Sequence, residues 1–187
     1  MTSRFCGRLR REETAFLMID VQERLLPSIS GREAVLENGV RLLKTAAQLA
    51  LPVLCTEQYP KGIGATAAEL SSVFPDGTRR FEKMAFCCCD EPDFLEALRV
   101  QEREVIVIFG IESHICVLST VQDLLERGRK VVLAADACGS RSPEHHRLAL
   151  DAARTCGAAV LPTETVVYQL LGRSGTPDFK ALLPLFK

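Results

Sequence analysis

Asp20, Lys83 and Cys116 are the residues whose types and settings could do chemistry together. Cys116 follows the segment Gly110 to Ile115 and falls in the first turn of a predicted helix. The positive end of a helix favours a thiolate and lowers a cysteine pKa. The free N–H groups of a first turn can also hold an oxyanion. A carboxylate such as Asp20 can take the thiol proton, and a cation such as Lys83 can hold that carboxylate and steady developing negative charge. Singly, each residue has a plainer reading: a packed thiol, a turn residue, a solvated charge.

The elements that must position them alternate along the chain. Thr14–Ile19 is an apolar run ending at Asp20 and reads as a buried strand. A helix is predicted over Ser30 to Ala50, with Ser30 as its N-cap. Pro52 to Thr56 reads as a second strand, Glu57 to Gly64 as a loop and Ala65 to Leu70 as a short helix. Arg79 to Ala85 looks extended and carries Lys83. Asp90 or Asp93 is expected to cap a helix to Leu98. Glu104 to Phe109 is the clearest strand, closed by Gly110, and a helix from His114 to Arg127 ends at Gly128. Lys130 to Ala135 is a strand ending at Asp136. Ser142-Pro143 opens a helix to Cys156, Ala158 to Leu161 is the last strand, and Thr163 caps a helix to Leu171. Strands alternating with helices imply parallel βαβ units with both sheet faces covered. The expected fold is α/β: one three-layer α/β/α domain over 14–187 with a doubly wound, mainly parallel sheet, preceded by a flexible segment over 1–13.

In such sheets ligands bind outside the carboxyl ends of the strands. Asp20, Thr56 and Glu57, Gly110 to Cys116, and Asp136 are therefore the residues to examine, with Lys83 between them.

Composition narrows the function classes. The chain has 187 residues, 23 Lys plus Arg and 24 Asp plus Glu. A net charge of -1 supplies no field for nucleic acid or an anionic membrane, so neither is an expected partner. Eight cysteines would suggest a disulfide framework in a short secreted chain. Met1 to Glu13 lacks the apolar stretch of a secretory signal, and several cysteines lie inside apolar runs, so all are read as reduced thiols. No CxxC pair occurs, so no structural zinc site is expected. A cytoplasmic location follows, with a mitochondrial one as the alternative because Arg4, Arg8, Arg10 and Arg11 faintly resemble a presequence.

Three blocks, Phe16 to Gln22, Phe81 to Phe86 and Gly110 to Val117, resemble in order and spacing the signature blocks of isochorismatase-like cysteine hydrolases. The later block Asp136 to Arg141 is similar too, and Thr56 to Gly64 resembles the small isochorismatase domain-containing proteins of that family. The resemblance implies an Asp20–Lys83–Cys116 triad, a cis peptide at Ile111–Glu112, and an oxyanion hole from the N–H groups of Glu112 and Cys116. It implies a covalent thioester route, usually on small amides, and a homodimer or homotetramer. Metal-dependent nicotinamidases of similar fold carry histidines after the second strand. Gln58 to Gly64 has none, so no metal or other cofactor is expected. Isochorismatases proper lack the cysteine, so Cys116 argues against their vinyl-ether cleavage.

Tyr59, Phe86 and Ile111 are candidate apolar walls of a substrate pocket, with Gln22 and Glu57 on the same edge. His114 is expected on the exposed side of its turn, and His145-His146 on the surface. The apolar segment Phe179 to Phe186 is a candidate subunit contact. A partner-binding protein that retains the hydrolase fold is the alternative function, and a thiol redox role for Cys87 to Cys89 is a third reading.

Overall fold

A computed structural model describes residues 7–187. Residues 1–6, including Arg4 and Cys6 of the basic terminal segment, lie outside the described residues. Six strands form one sheet: β1 Thr14–Ile19, β2 Val53–Gln58, β3 Arg79–Lys83, β4 Val105–Ile111, β5 Lys130–Gly139 and β6 Ala159–Leu161. Their order is β3-β2-β1-β4-β5-β6, and every pairing is parallel. The helices are α1 Arg32–Leu49, α2 Pro60–Ile63, α3 Ala68–Ser71, α4 Pro92–Val100, α5 Leu118–Glu126, α6 Pro143–Cys156, α7 Thr163–Leu171 and α8 Pro177–Leu182. α1, α7 and α8 cover one face, while α5 and α6 pack together on the other. This is the three-layer α/β/α arrangement that the alternation of elements predicts.

Covering both faces explains the central strands. Every residue of β1 and β4 is buried, so neither strand has a polar face. Phe16 and Phe109 meet edge to face across them at 6.3 Å. The order reverses between β1 and β4, which makes their carboxyl ends the topological switch point. Gly110 does not close β4; it lies inside the strand at φ +130°, where a Cβ would stand 2.1 Å from Ile19 O. Only glycine lets β4 come this close to the end of β1.

Several boundaries differ from the expected ones. β2 runs on through Glu57 and Gln58 because β3 pairs with it, Thr56 against Phe81 and Gln58 against Lys83. β5 likewise continues through Asp136 to Gly139. Asp136 therefore does not lie past a strand end. Its Oδ1 accepts from the Thr163 N–H and hydroxyl at 2.7 Å each, so Asp136 holds the start of α7 and Thr163 does not cap it. Ser30 is not the N-cap of α1; Gly31 takes that place in a left-handed conformation, and the Ser30 N–H donates to Ser140 O. Neither Asp90 nor Asp93 caps α4, which Glu91 precedes. Ser142 does cap α6, with Pro143 at its first position.

Both ends of the described chain are docked. Leu9 is buried, and Arg11 donates to Leu170 O and Asp178 Oδ2 at 2.9 and 2.7 Å, so residues 7–13 are not free. The Phe179 to Phe186 segment folds back on its own chain and stays partly exposed. Tyr168 meets Phe179 and Phe186 edge to face, and Arg41 lies over the Phe186 ring at 5.3 Å.

Candidate active site

The carboxyl ends of four neighbouring strands converge on one buried cluster. β1 delivers Asp20, which turns the chain at φ +53° and is fully buried. β3 ends on Lys83, whose ammonium lies 2.7 Å from Asp20 Oδ2 with both side chains inaccessible. β4 leads through a cis peptide at Ile111–Glu112 into a π turn over Ser113–Val117. That turn places Cys116 Sγ 3.5 Å from Lys83 Nζ. The triad residues named from the sequence are thus in mutual reach.

β2 adds Thr56, which the sequence reading placed at the strand's carboxyl end without a role, and Gln58, which it left out. Thr56 Oγ1 donates to Asp20 Oδ1 at 2.8 Å, and Gln58 Oε1 accepts from Lys83 Nζ at 2.5 Å. Strand alternation puts both on one face, with Glu57 on the other. The signal was available once β2 is continued two residues past Thr56. Lys83 is held further by Ala85 O at 3.1 Å and Phe86 O at 3.4 Å. Asp20 Oδ2 is ion-paired with Lys83 but receives no aligned hydrogen bond, which leaves a lone pair open for a proton.

The electrostatics reverse one expectation. Cys116 is not a preformed thiolate; its pKa is pushed up to about 12, first by burial and then by the Asp20 carboxylate, against a lowering by Lys83. The sulfur is 7% exposed as part of its residue, and a π turn rather than a regular first helical turn carries it. Burial works against the Lys83 charge, Asp20 works for it, and the net direction is up. Burial and the neighbouring Asp20 thus both favour the neutral thiol at rest.

The surrounding loop is pinned by short bonds. Thr120 donates to Cys116 O at 2.7 Å and accepts from the Cys88 N–H at 3.0 Å. Glu112 is buried, and its carboxylate accepts from the Arg141 N–H and guanidinium. Glu112 O accepts from the Ile115 and Val117 N–H groups at 3.1 and 3.2 Å, which leaves the intervening Cys116 N–H outside that pair.

Of the expected pocket walls, Tyr59 and Phe86 stand exposed, as does Met84. Three others do not line a pocket. Ile111 is sealed in the core. Gln22 is fully buried, and its amide bridges Gln58 O, Gly64 O and the Gln58 N–H, so it staples the loop. Glu57 Oε1 accepts from the Thr66 N–H and hydroxyl and fixes the same loop. His145 is exposed as expected, but the other two histidines differ from expectation. His114 is half-buried, 3.0 Å from Ser140 Oγ and against the His145 ring. His146 reaches Ser113 Oγ at 2.8 Å. Burial lowers both imidazole pKa values.

The comparisons with known proteins agree with this architecture. The family model described as "Isochorismatase domain" matches residues 14–165. An isochorismatase domain-containing protein 2 from Xenopus laevis is 36% identical over 175 residues, covering 93% of this chain and 83% of that protein. The human protein of the same description is 36% identical over 183 residues, covering 97% and 86%. Among solved structures, one described as MAR1 ribonuclease from Caenorhabditis elegans is similar with a TM-score of 0.91 and 33% identity, over 96% of this chain and 92% of that one. With the family model spanning most of the domain and these relatives matching nearly all of it, the chain belongs to the isochorismatase family of hydrolase-like proteins.

Proposed function

We propose that this protein is a cysteine-dependent hydrolase of small amides that works through a covalent thioester. The observation that carries the reading is the buried cluster itself: Asp20 paired with Lys83 at 2.7 Å and Cys116 Sγ 3.5 Å from the same ammonium. Burying a carboxylate and an ammonium costs several kcal/mol per ion, only partly offset by pairing, so packing alone does not favour this arrangement. Perturbed titratable groups gathered at a switch point are a functional-site signature.

The steps follow from the protonation states. The thiol gives its proton to Asp20 as its sulfur attacks the amide carbon. The oxyanion that forms is placed against the Glu112 and Cys116 N–H groups. Asp20 returns the proton to the departing amine, which leaves the acyl group on sulfur. Water then attacks the thioester, giving its proton to Asp20, and Asp20 hands that proton back to the sulfur as the acid departs. Lys83 holds Asp20 in place and offsets charge on the sulfur. Thr56 and Gln58 position Asp20 and Lys83. The exposed Tyr59, Met84 and Phe86, on the segments that flank Lys83 and Gln58, offer apolar surface suited to a small, largely uncharged substrate.

A panel of small amides assayed with wild type and Cys116→Ala tests the reading. Acyl-enzyme mass on Cys116 and turnover lost in the variant are expected. Hydrolysis that survives the substitution unchanged refutes the covalent route. RNA belongs in the same panel because one relative is described as a ribonuclease. RNA cleavage at a net charge of -1 with no amide turnover would replace the amide reading.

A further inference from the structure

We propose that Cys87, Cys89 and Asp123 form a binding site for a thiophilic divalent cation such as zinc, separate from the catalytic cluster and independent of the hydrolase reading. The run Cys87 to Cys89 precedes α4 as a tight turn, and its three sulfurs do not point the same way. Cys88 turns into the core, where its sulfur lies 3.8 Å from Thr56 Oγ1. Cys87 and Cys89 face α5 instead, and meet Asp123 there. One ligand atom from each of the three lies within 4.8 Å of the other two. Zinc bound at about 2.3 Å to sulfur and 2.0 Å to oxygen holds tetrahedral ligands about 3.7 Å apart. Closing the triangle thus takes shifts of about 1 Å, within reach of side-chain rotation. Cys89 is buried while Cys87 and Asp123 are half-buried, so three protein ligands leave a fourth position open towards solvent.

A divalent cation takes both sulfurs as thiolates, and the protons they carried leave to solvent. Two thiolates, a carboxylate and a dication carry a net charge of −1. Arg127, just past the end of α5 and already paired with Asp123, cancels it. The sequence expectation of no zinc site rested on the lack of a CxxC pair. Here the spacing is Cys-x-Cys, and the third ligand comes from a helix on another part of the chain.

The test titrates zinc into the full, phosphine-reduced chain against a chromogenic chelator, with cadmium as a spectroscopic probe of thiolate coordination. One equivalent per chain is expected, with proton release and a thiolate-to-cadmium absorption. Cys87→Ser and Asp123→Ala, both at half-exposed positions and checked by thermal melting, should each weaken binding roughly 100-fold, since even indirect partners of a metal are worth about 10- to 100-fold. Cys116→Ala should bind as wild type does. The proposal is overturned by the lack of stoichiometric zinc, by binding that persists in Cys87→Ser, or by binding that is lost in Cys116→Ala.

Discussion

Replacing Asp20 by Asn separates two properties of Cys116 that a preformed thiolate would tie together. The thiol at about 12 lies well above its ordinary 9.0. Three units correspond to a roughly thousandfold smaller thiolate fraction near neutral pH. Asn keeps the shape of the side chain, removes the like charge and leaves Lys83 facing the sulfur. A charge at this range is worth about 1 to 3 pKa units, so the thiolate fraction rises about 10- to 1,000-fold. A less basic thiolate is a weaker nucleophile, with a Brønsted slope of about 0.4 to 0.5, which cancels nearly half of that gain on a logarithmic scale. Alkylation of Cys116 by iodoacetamide should therefore be about 3- to 30-fold faster in Asp20→Asn. Turnover should fall by roughly 100- to 10,000-fold, because the base is gone. Labelling is followed by mass at the Cys116 peptide, with Cys116→Ala as the blank. In wild type the rate should climb about tenfold per pH unit without levelling off below about pH 10, since the thiolate of a raised group appears only as pH approaches its pKa. Slower labelling in Asp20→Asn, or a wild-type plateau near neutral pH, would show that Asp20 maintains a resting thiolate and would refute this account.

Gln58→Leu removes the 2.5 Å acceptor from Lys83 Nζ; a hydrogen bond to a charged group is worth about 1.5 to 3 kcal/mol, so kcat/KM should drop about 10- to 100-fold, measured on whichever amide the panel identifies. Lys83→Met leaves Asp20 buried and unpaired, and should lower stability by about 3 to 5 kcal/mol in chemical denaturation, with part of the loss recovered in the Asp20→Asn double variant. Gly110→Ala places a Cβ 2.1 Å from Ile19 O and should cost about 3 kcal/mol or more, whereas Gly128→Ala meets nothing within 4 Å and should cost only about 1 to 2 kcal/mol for its left-handed backbone; thermal melts of the two compare them directly. Asp136→Ala loses both bonds to Thr163 and should cost about 1 to 2 kcal/mol with kcat unchanged, against its initial placement at a ligand-binding strand end.

The strands with both faces buried were legible because burial on both sides leaves a continuous apolar run, as in β1 and β4. Strand ends were not legible, because what extends β2 through Glu57 and Gln58 is pairing with β3, a partner more than twenty residues away. Missing those two residues hid Gln58 from the site, although its alternation with Thr56 was written in the sequence. Helix starts failed where a non-local bond intervened: the Ser30 N–H goes to Ser140 O, and the cap passes to Gly31. Gln22 and Glu57 were placed on the correct edge, but their side chains fasten the loop there, which polarity and position alone do not distinguish from lining a pocket.

The cysteines make the same point about chemistry. A helix start predicts a low thiol pKa at Cys116 because the dipole is local and visible in the sequence. The opposing influences, burial and the Asp20 carboxylate, are contributed by the fold, and they win. Cys87 is the converse: nothing beside it in sequence except other cysteines suggests activation, yet Cys89 holds it at about 7 at a half-exposed site. Among the described residues Cys87 is therefore the thiol poised for labelling, and the proposed nucleophile is among the slow ones. Fast labelling of Cys87 then follows from its hydrogen bond and exposure alone, and carries no weight for a redox role of the 87–89 run. Reactivity towards an alkylating agent reports the thiolate population before substrate binds, whereas catalysis here depends on a proton moving to Asp20 during attack. The catalytic cysteine has to be identified by the site that carries the acyl group, not by the rate at which a thiol is alkylated.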